Sequence, residues 1–204
     1  QAAVCVQNGG SISVLTRGRI LGGSVAAGTY FLTATGSPTI SGTGASVTGT
    51  PNQSAAATYN DSFESVFGVS QDELTAMADY LVTLPADFPS PVPVDTLVLS
   101  TTGMTFTAAK PLKGTGVVAI VGDTVVGQGS YSAFSGLLYV QGNLTLREPC
   151  EIQGAVVVTG SITVQGNSDF ATVTYDDAIL AHLRQELGTY RLSSAMSRPM
   201  AGDH

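Results

Sequence analysis

"GLLYVQGNLTL", residues 136–146, has a close copy on either side of it. "GVVAIVGDTVV" occupies 116–126 and "GAVVVTGSITV" occupies 154–164, so the phrase begins at intervals of 20 and 18 residues. Each copy opens on glycine, runs through aliphatic residues and meets a second glycine at its seventh position: Gly122, Gly142 and Gly160. A small polar residue follows (Asp123, Asn143, Ser161), then a second short apolar run. The interval is too long for a hairpin loop, and its recurrence points to a repeat architecture. It suits one turn of a parallel β-helix or solenoid. One turn cannot bury its own apolar side chains, whereas turns stacked at about 4.8 Å pair their backbones and share a core. Gly122, Gly142 and Gly160 are then the coil corners, where glycine accepts backbone angles other residues resist. The competing reading is an antiparallel sandwich, with "VQGNLTL" as a hairpin on a Gly-Asn turn.

The bulk composition agrees with a β-rich chain of many tight turns. Of 204 residues, 24 are glycine, 43% are hydrophobic and only 11% are charged, which excludes a disordered polyelectrolyte. The net charge of −7 rests on only eight Lys and Arg, with no basic run, and argues against nucleic acid or an anionic membrane as partner. No stretch of about 18 apolar residues predicts a membrane span. The sequence begins at Gln1 without Met, which reads as a mature or trimmed form, exported to the cell surface or beyond. In that setting Cys5 and Cys150 can pair as a disulfide closing nearly the whole chain, worth about 4–5 kcal/mol in the chain-entropy model. Two buried, unbonded thiols are the alternative.

Along the chain, residues 1–175 read as a β-solenoid domain with a helical insertion at 61–83 and a Pro-rich connector at 84–95; residues 176–204 read as a capping helix and tail. Before the insertion, short strands are expected at 11–15, 19–21, 30–33, 39–40 and 46–47, then a linker at 51–60. Within the insertion, Ser70 and Glu73 have capping-box spacing, and Leu74, Met77, Ala78 and Leu81 share one helical face. After the repeats a last strand at 171–175 leads to a helix from Asp177 whose apolar face is Ile179, Leu180, Leu183 and Leu187. That helix is expected to cover the open end of the stack, because a bare edge invites pairing. Residues 193–204 read as a loose tail.

The phrases "SGLLYVQGNLTL", "GAVVVTGSITVQGN" and "ATVTYDDAIL" together resemble the C-terminal half of the PilX-type, type IV pilin-like pilus-assembly proteins of bacteria, and the coil style is similar to that of bactofilin-like polymers. The resemblance runs from Gly116 to about Leu187. It implies a right-handed coil, a strand leading into a "TYD"-led helix at Thr174, Tyr175 and Asp176, and a partner that is another copy or another pilin-like subunit. Such proteins begin with a cleaved leader and a membrane-spanning helix, so the match is to the soluble part.

No catalytic signature is present. The two histidines, His182 and His204, have no metal-ligand spacing, and the sequence holds no nucleophile elbow, P-loop or dinucleotide fingerprint. Asp123 and Asp169 fall at different coil positions, which does not make an acid–base pair. Asp176 and Asp177 could hold calcium, although helix capping explains them as well. Asn52, Asn60 and Asn143 lie in N-x-[ST] sequons. The expectation is a non-enzymatic extracellular filament subunit or adhesive module without a cofactor. The alternative is a carbohydrate-binding or carbohydrate-cleaving β-helix using Tyr131, Phe134 and Tyr139 as an aromatic platform.

Overall fold

The computed structural model describes residues 1–6, 9–31, 36–55 and 63–196, with side chains through residue 187. Seven short strands come first: β1 (Ala2–Val6), β2 (Ile12–Val14), β3 (Gly18–Leu21), β4 (Ala27–Phe31), β5 (Thr39–Ile40), β6 (Ser46–Thr48) and β7 (Gln53–Ala55). Helices α1 (Phe63–Phe67) and α2 (Gln71–Met77) lead to strand β8 (Tyr80–Val82). Long and short strands then alternate: β9 (Val92–Ser100), β10 (Met104–Phe106), β11 (Lys113–Val121), β12 (Thr124–Val126), β13 (Ser132–Gln141), β14 (Leu144–Arg147), β15 (Cys150–Val158) and β16 (Ile162–Gln165). Strand β17 (Ala171–Tyr175) and helix α3 (Asp177–Met196) complete the described chain.

The long strands lie in an eleven-stranded sheet and β10, β12, β14 and β16 in a six-stranded one, so the chain crosses between sheets at every corner. Every pairing between these strands is parallel, which excludes the antiparallel sandwich. The repeated phrase is the stacking register itself: Gly116 pairs with Gly136 and Gly136 with Gly154, while Leu144 pairs with both Thr124 and Ile162.

Three of the long strands carry one of these glycines in mid-strand. Gly116, Gly136 and Gly154 have φ of +156°, +149° and +122°. A Cβ at Gly136 would stand 1.9 Å from the Gly116 oxygen, and one at Gly154 would stand 2.1 Å from the Gly136 oxygen. Past these glycines both strand faces are largely buried. Val118, Ile120, Leu138, Val140, Val156 and Val158 enter the core between the two sheets. On the opposite face, Val117, Ala119, Tyr139 and Val157 form a second core under the helices.

The helices answer that second core. Phe63 and Phe67 of α1 pack on Tyr139 with ring centroids 4.6 and 5.3 Å away. Ser70 and Glu73 form the expected capping box, and Leu74 is fully buried. The predicted helical face breaks at Leu81, which is exposed on β8 because the helix ends at Met77 and the chain joins the sheet edge. Residues 92–95 of the Pro-rich stretch likewise open β9. Pro93 is tolerated there because the pairing with β11 slips between Val92 and Thr96, where no amide donor is required.

Helix α3 does not cap the stack. Asp176 accepts the Ala178 and Ile179 N–H groups (3.0 and 3.1 Å) and starts the helix beside the second core. Ile179, Leu183 and Leu187 then cover the outer faces of the long strands. The end at β8 and β10 is sealed by the Pro-rich segment instead. Phe88 is buried and meets Phe106 edge-on at 5.0 Å. Lys110 Nζ donates to the carbonyls of Pro85 (2.9 Å) and Ala86, and Ser90 Oγ donates to the Pro111 carbonyl at 2.6 Å. The last four residues of α3, 193–196, were expected in the tail; residues 197–204 lie outside the described ones.

The N-terminal strands add to the far side of the C-terminal ones: β2 pairs with β16 and β3 with β17. Two distant segments share one strand position beside β15. β17 pairs with Cys150–Gly154, and β1 takes over at Val156–Val158. At the seam Tyr175 OH donates to Asp177 Oδ1 (3.0 Å), and Gln1 Nε2 reaches the same oxygen at 3.4 Å. Burial and that acidic neighbour push the Tyr175 phenol up to about 12. Strands β2, β3, β5 and β6 fall at or within two residues of expected positions, and β4 overlaps one; β1 was not anticipated, and β7 lies in the expected linker.

The glycine column gives a direct expectation. Gly136→Ala should cost about 3 kcal/mol or more, since it adds both a left-handed φ and a collision with backbone. Gly23 has φ of +73° and open space around it, so Gly23→Ala should cost only about 1 kcal/mol. Urea denaturation of the two variants measures the difference.

Candidate functional site

The three corner glycines stack as expected and carry a polar ladder. A Cβ at Gly122 would meet the Gly103 nitrogen at 2.7 Å, one at Gly142 the Gly122 carbonyl carbon at 2.7 Å, and one at Gly160 the Gly142 oxygen at 2.7 Å. Gly122 and Gly142 also have φ of +126° and +156°. The residue after each corner links to the next turn. Asn143 donates its backbone N–H (2.8 Å) and its Nδ2 (3.1 Å) to Asp123 Oδ1. Asn143 Oδ1 accepts the Ser161 N–H at 2.9 Å, and Ser161 Oγ accepts the Ser11 N–H at 3.1 Å. Asp123, Asn143 and Ser161 thus satisfy amide donors that the corner leaves without a sheet partner.

The outer face of the six-stranded sheet bears a second column. Thr105, Val125, Thr145, Thr163, Ser13 and Thr39 pair in register from strand to strand, while the neighbours of the first five point into the core. The strand spacing sets these groups about 4.8 Å apart, giving a flat, uncharged row of hydroxyls and methyls. This row was not singled out in the sequence. Its signal is there: the third residue after each corner glycine is Val125, Thr145 or Thr163, and "GSIS" at 10–13 is a fourth, unrecognised instance.

The two ends of the stack differ. At one, Phe88 closes the core, and the end strands β8 and β10 each pair with one strand only among the described residues. At the other, β5, β6 and β7 each pair with one strand only among the described residues, and they carry Thr39, Ile40, Ser46, Thr48, Gln53 and Ser54.

Cys5 and Cys150 are not bonded to each other. Cys5 lies beside Val157, seven positions along β15 from Cys150. That is roughly 23 Å of strand, far beyond disulfide reach. Burial pushes the Cys150 thiol up to about 12. Asp176 caps α3 and Asp177 serves the seam, so both have structural partners, and no cluster of three or more metal-ligating side chains occurs among the described residues. The expected aromatic platform does not form. Phe134 and Tyr139 are buried in different cores, leaving Tyr131 exposed by itself at 66%. His182, half exposed on α3, lies 3.1 Å from Asp95 Oδ1. Asp169 accepts the N–H of its neighbour Phe170. Asn52 Oδ1 accepts the Gly49 N–H, Asn143 is held in the ladder, and Asn60 and His204 lie outside the described residues.

A cleft of about 550 Å³ separates α3 from α2, lined by Met77, Asp79, Asp95, Leu97, Val117 and Glu186. Asp79 Oδ2 accepts the Leu97 N–H at 2.8 Å and so holds α2's exit to the sheet. These features define a mainly β protein of two parallel sheets with helices on one flank. No family model, curated protein or solved structure matches the chain.

Asn143→Ala should lower stability by about 1–3 kcal/mol, because it leaves the Ser161 N–H and Asp123 without their partner. Asn143→Ser, with a shorter reach, should recover only part of that loss in the same denaturation assay. Separately, reducing agent should leave the unfolding midpoint unchanged, and Cys150 should resist alkylation at mildly alkaline pH until the chain unfolds. A midpoint lowered by reductant would contradict the unbonded pair.

Proposed function

We propose that the chain is a non-enzymatic, extracellular structural protein: a β-solenoid module that serves as a subunit, or as a minor or tip component, of a pilus-like surface filament. The alternation between two parallel sheets every 18–20 residues supports reading each repeat as one coil. The resemblance to pilin-like proteins, and the right-handed rule for parallel crossovers, set the expected hand.

The observation that carries the reading is the strand edge at each end. At one end Phe88 plugs the core and β8 and β10 each pair on one side only, while the other presents the edges of β5, β6 and β7. An unpaired parallel edge is a template for another strand. A unit with a strand edge at each end can join neighbours end to end, as a component of a filament does. The carbohydrate alternative needs aromatics on a shared surface, and Phe134 and Tyr139 face opposite sides of β13.

Sedimentation and electron microscopy from micromolar to millimolar concentration test this. End-to-end pairs should form as concentration rises. The double variant Ile40→Lys, Ser54→Lys, which charges the open edge, should return them to monomers. Monomers throughout, for both chains, would overturn the association reading.

A further inference from the structure

The second core is less completely closed than the first. Between the sheets Val118, Ile120, Leu138, Val140, Val156 and Val158 are fully buried, whereas under the helices Phe67, Val157 and Leu97 keep 9%, 9% and 5% of their surface exposed. The incomplete closure has a shape. Beside the cleft between α2 and α3, a second cavity of about 360 Å³ opens between α1 and α3, and Phe67, Val117 and Leu187 line both. The helices therefore leave an apolar groove beside and beneath α3. Concavities of a few hundred Å³ with apolar walls and a few converging polar groups are where proteins take small molecules.

The mouth at α2 is acidic. Asp79, Asp95 and Glu186 line it, and among the described residues no Lys or Arg does. Asp95 reaches the cleft through an irregularity of β9. Gly114 and Gly116 of β11 pair with Val92 and Thr96, so Pro93, Val94 and Asp95 together oppose Thr115. Such a bulge re-aims a side chain, and Asp95 takes φ of +56° within it. Its Oδ1 is closed off from solvent and accepts no hydrogen bond among the described residues; His182 Nε2 stands 3.1 Å away without the alignment of one. Asp79 is fixed at the mouth by the Leu97 N–H, which its Oδ2 accepts at 2.8 Å. The charged residue lining the second cavity is Arg184, so the two openings carry opposite signs.

We propose that this groove is a binding site for a small amphiphile that carries a cationic group. Its apolar body lies on Phe67, Leu97, Val117 and Leu187, and its cation meets Asp79, Asp95 and Glu186. Each part of the site has its own task. The apolar walls supply most of the affinity, because they exchange contact with water for contact with the ligand. The carboxylates supply the choice of charge: a cation relieves their mutual repulsion, whereas an anionic amphiphile adds to it. Exposed carboxylates alone hold a cation weakly, so the two parts act together. This site goes beyond the filament reading and operates in a single, unassembled copy.

Methyl NMR of the full chain, labelled at its methionines, tests the proposal with decyltrimethylammonium as the probe, below its micelle concentration. The chain carries its own control: Met77 lines the cleft, and Met104 lies in the core between the sheets. Met77→Leu and Met104→Leu assign the two signals. The ammonium should shift the Met77 signal saturably and leave that of Met104 in place, and decyl sulfate should bind about tenfold more weakly. Asp95→Asn combined with Glu186→Gln should weaken the ammonium about fivefold and narrow its advantage over the sulfate. Asparagine accepts the positive φ at position 95. Glu64→Gln combined with Asp72→Asn removes as much charge from α1 and α2, away from the cleft lining, and should leave the affinity unchanged. Ala76→Trp, at an exposed position of α2 that lines the cleft, should fill it and abolish binding of both probes. No saturable shift at Met77, equal binding of the sulfate, or equal weakening by the Glu64 and Asp72 pair overturns the proposal.

Discussion

Gly116, Gly136 and Gly154 stand directly over one another, and the carbonyl oxygen of each occupies space that a Cβ on the next would need. The rest of the molecule depends on that close approach. Beyond this level the second halves of β11, β13 and β15 turn their two faces toward two different cores, and β9, with Thr96 at the same level, does likewise. One lies between the sheets; the other needs a cover. The position of the helices follows from this, because the long strands offer an apolar outer surface only beyond that level.

The cover comes from two places in the chain. Helices α1 and α2 bring Phe63, Phe67 and Leu74, and α3 brings Ile179, Leu183 and Leu187. Burial of large aromatic and aliphatic side chains holds these elements where intrinsic helix propensity would not, since α1 and α2 span only five and seven residues. The same demand explains why α3 lies on the flank. Its apolar stripe matches the outer faces of β13 and β15, whereas the open core at the stack's end is filled by Phe88, which the Pro-rich segment can deliver without offering a further strand edge.

The level of Gly154 also marks where the chain changes hands. Beside β15, strand β17 stops at the level of Gly154 and β1 resumes two residues later, so one strand position is filled by the two most distant parts of the described strands. Asp176 turns the chain out of the sheet there, and Asp177 receives both Tyr175 and Gln1. This geometry yields two parallel sheets whose core is plugged by Phe88 at one end, whose end strands each pair on one side only, and whose N- and C-terminal strands meet at an internal seam.

Much of this was legible in the residues. Spacing alone located the repeats, their corner glycines and their parallel stacking, because a period of 18–20 residues with glycine at its seventh position admits few other folds. The Ser70–Glu73 capping box and the Asp176-led helix are local hydrogen-bond patterns that need no tertiary information. The Thr row was within reach, hidden by the irregular spacing of its N-terminal member. Four things required the folded chain: that β1 to β3 extend the stack from β15, β16 and β17; that the two cysteines sit far apart on neighbouring strands; that Tyr139 and Phe134 face different cores; and that the Pro-rich segment seals the end. Each depends on pairings or packing between residues distant in sequence. A strand's pattern states which faces it must bury, but many edges could satisfy it, and only packing of the whole chain selects one.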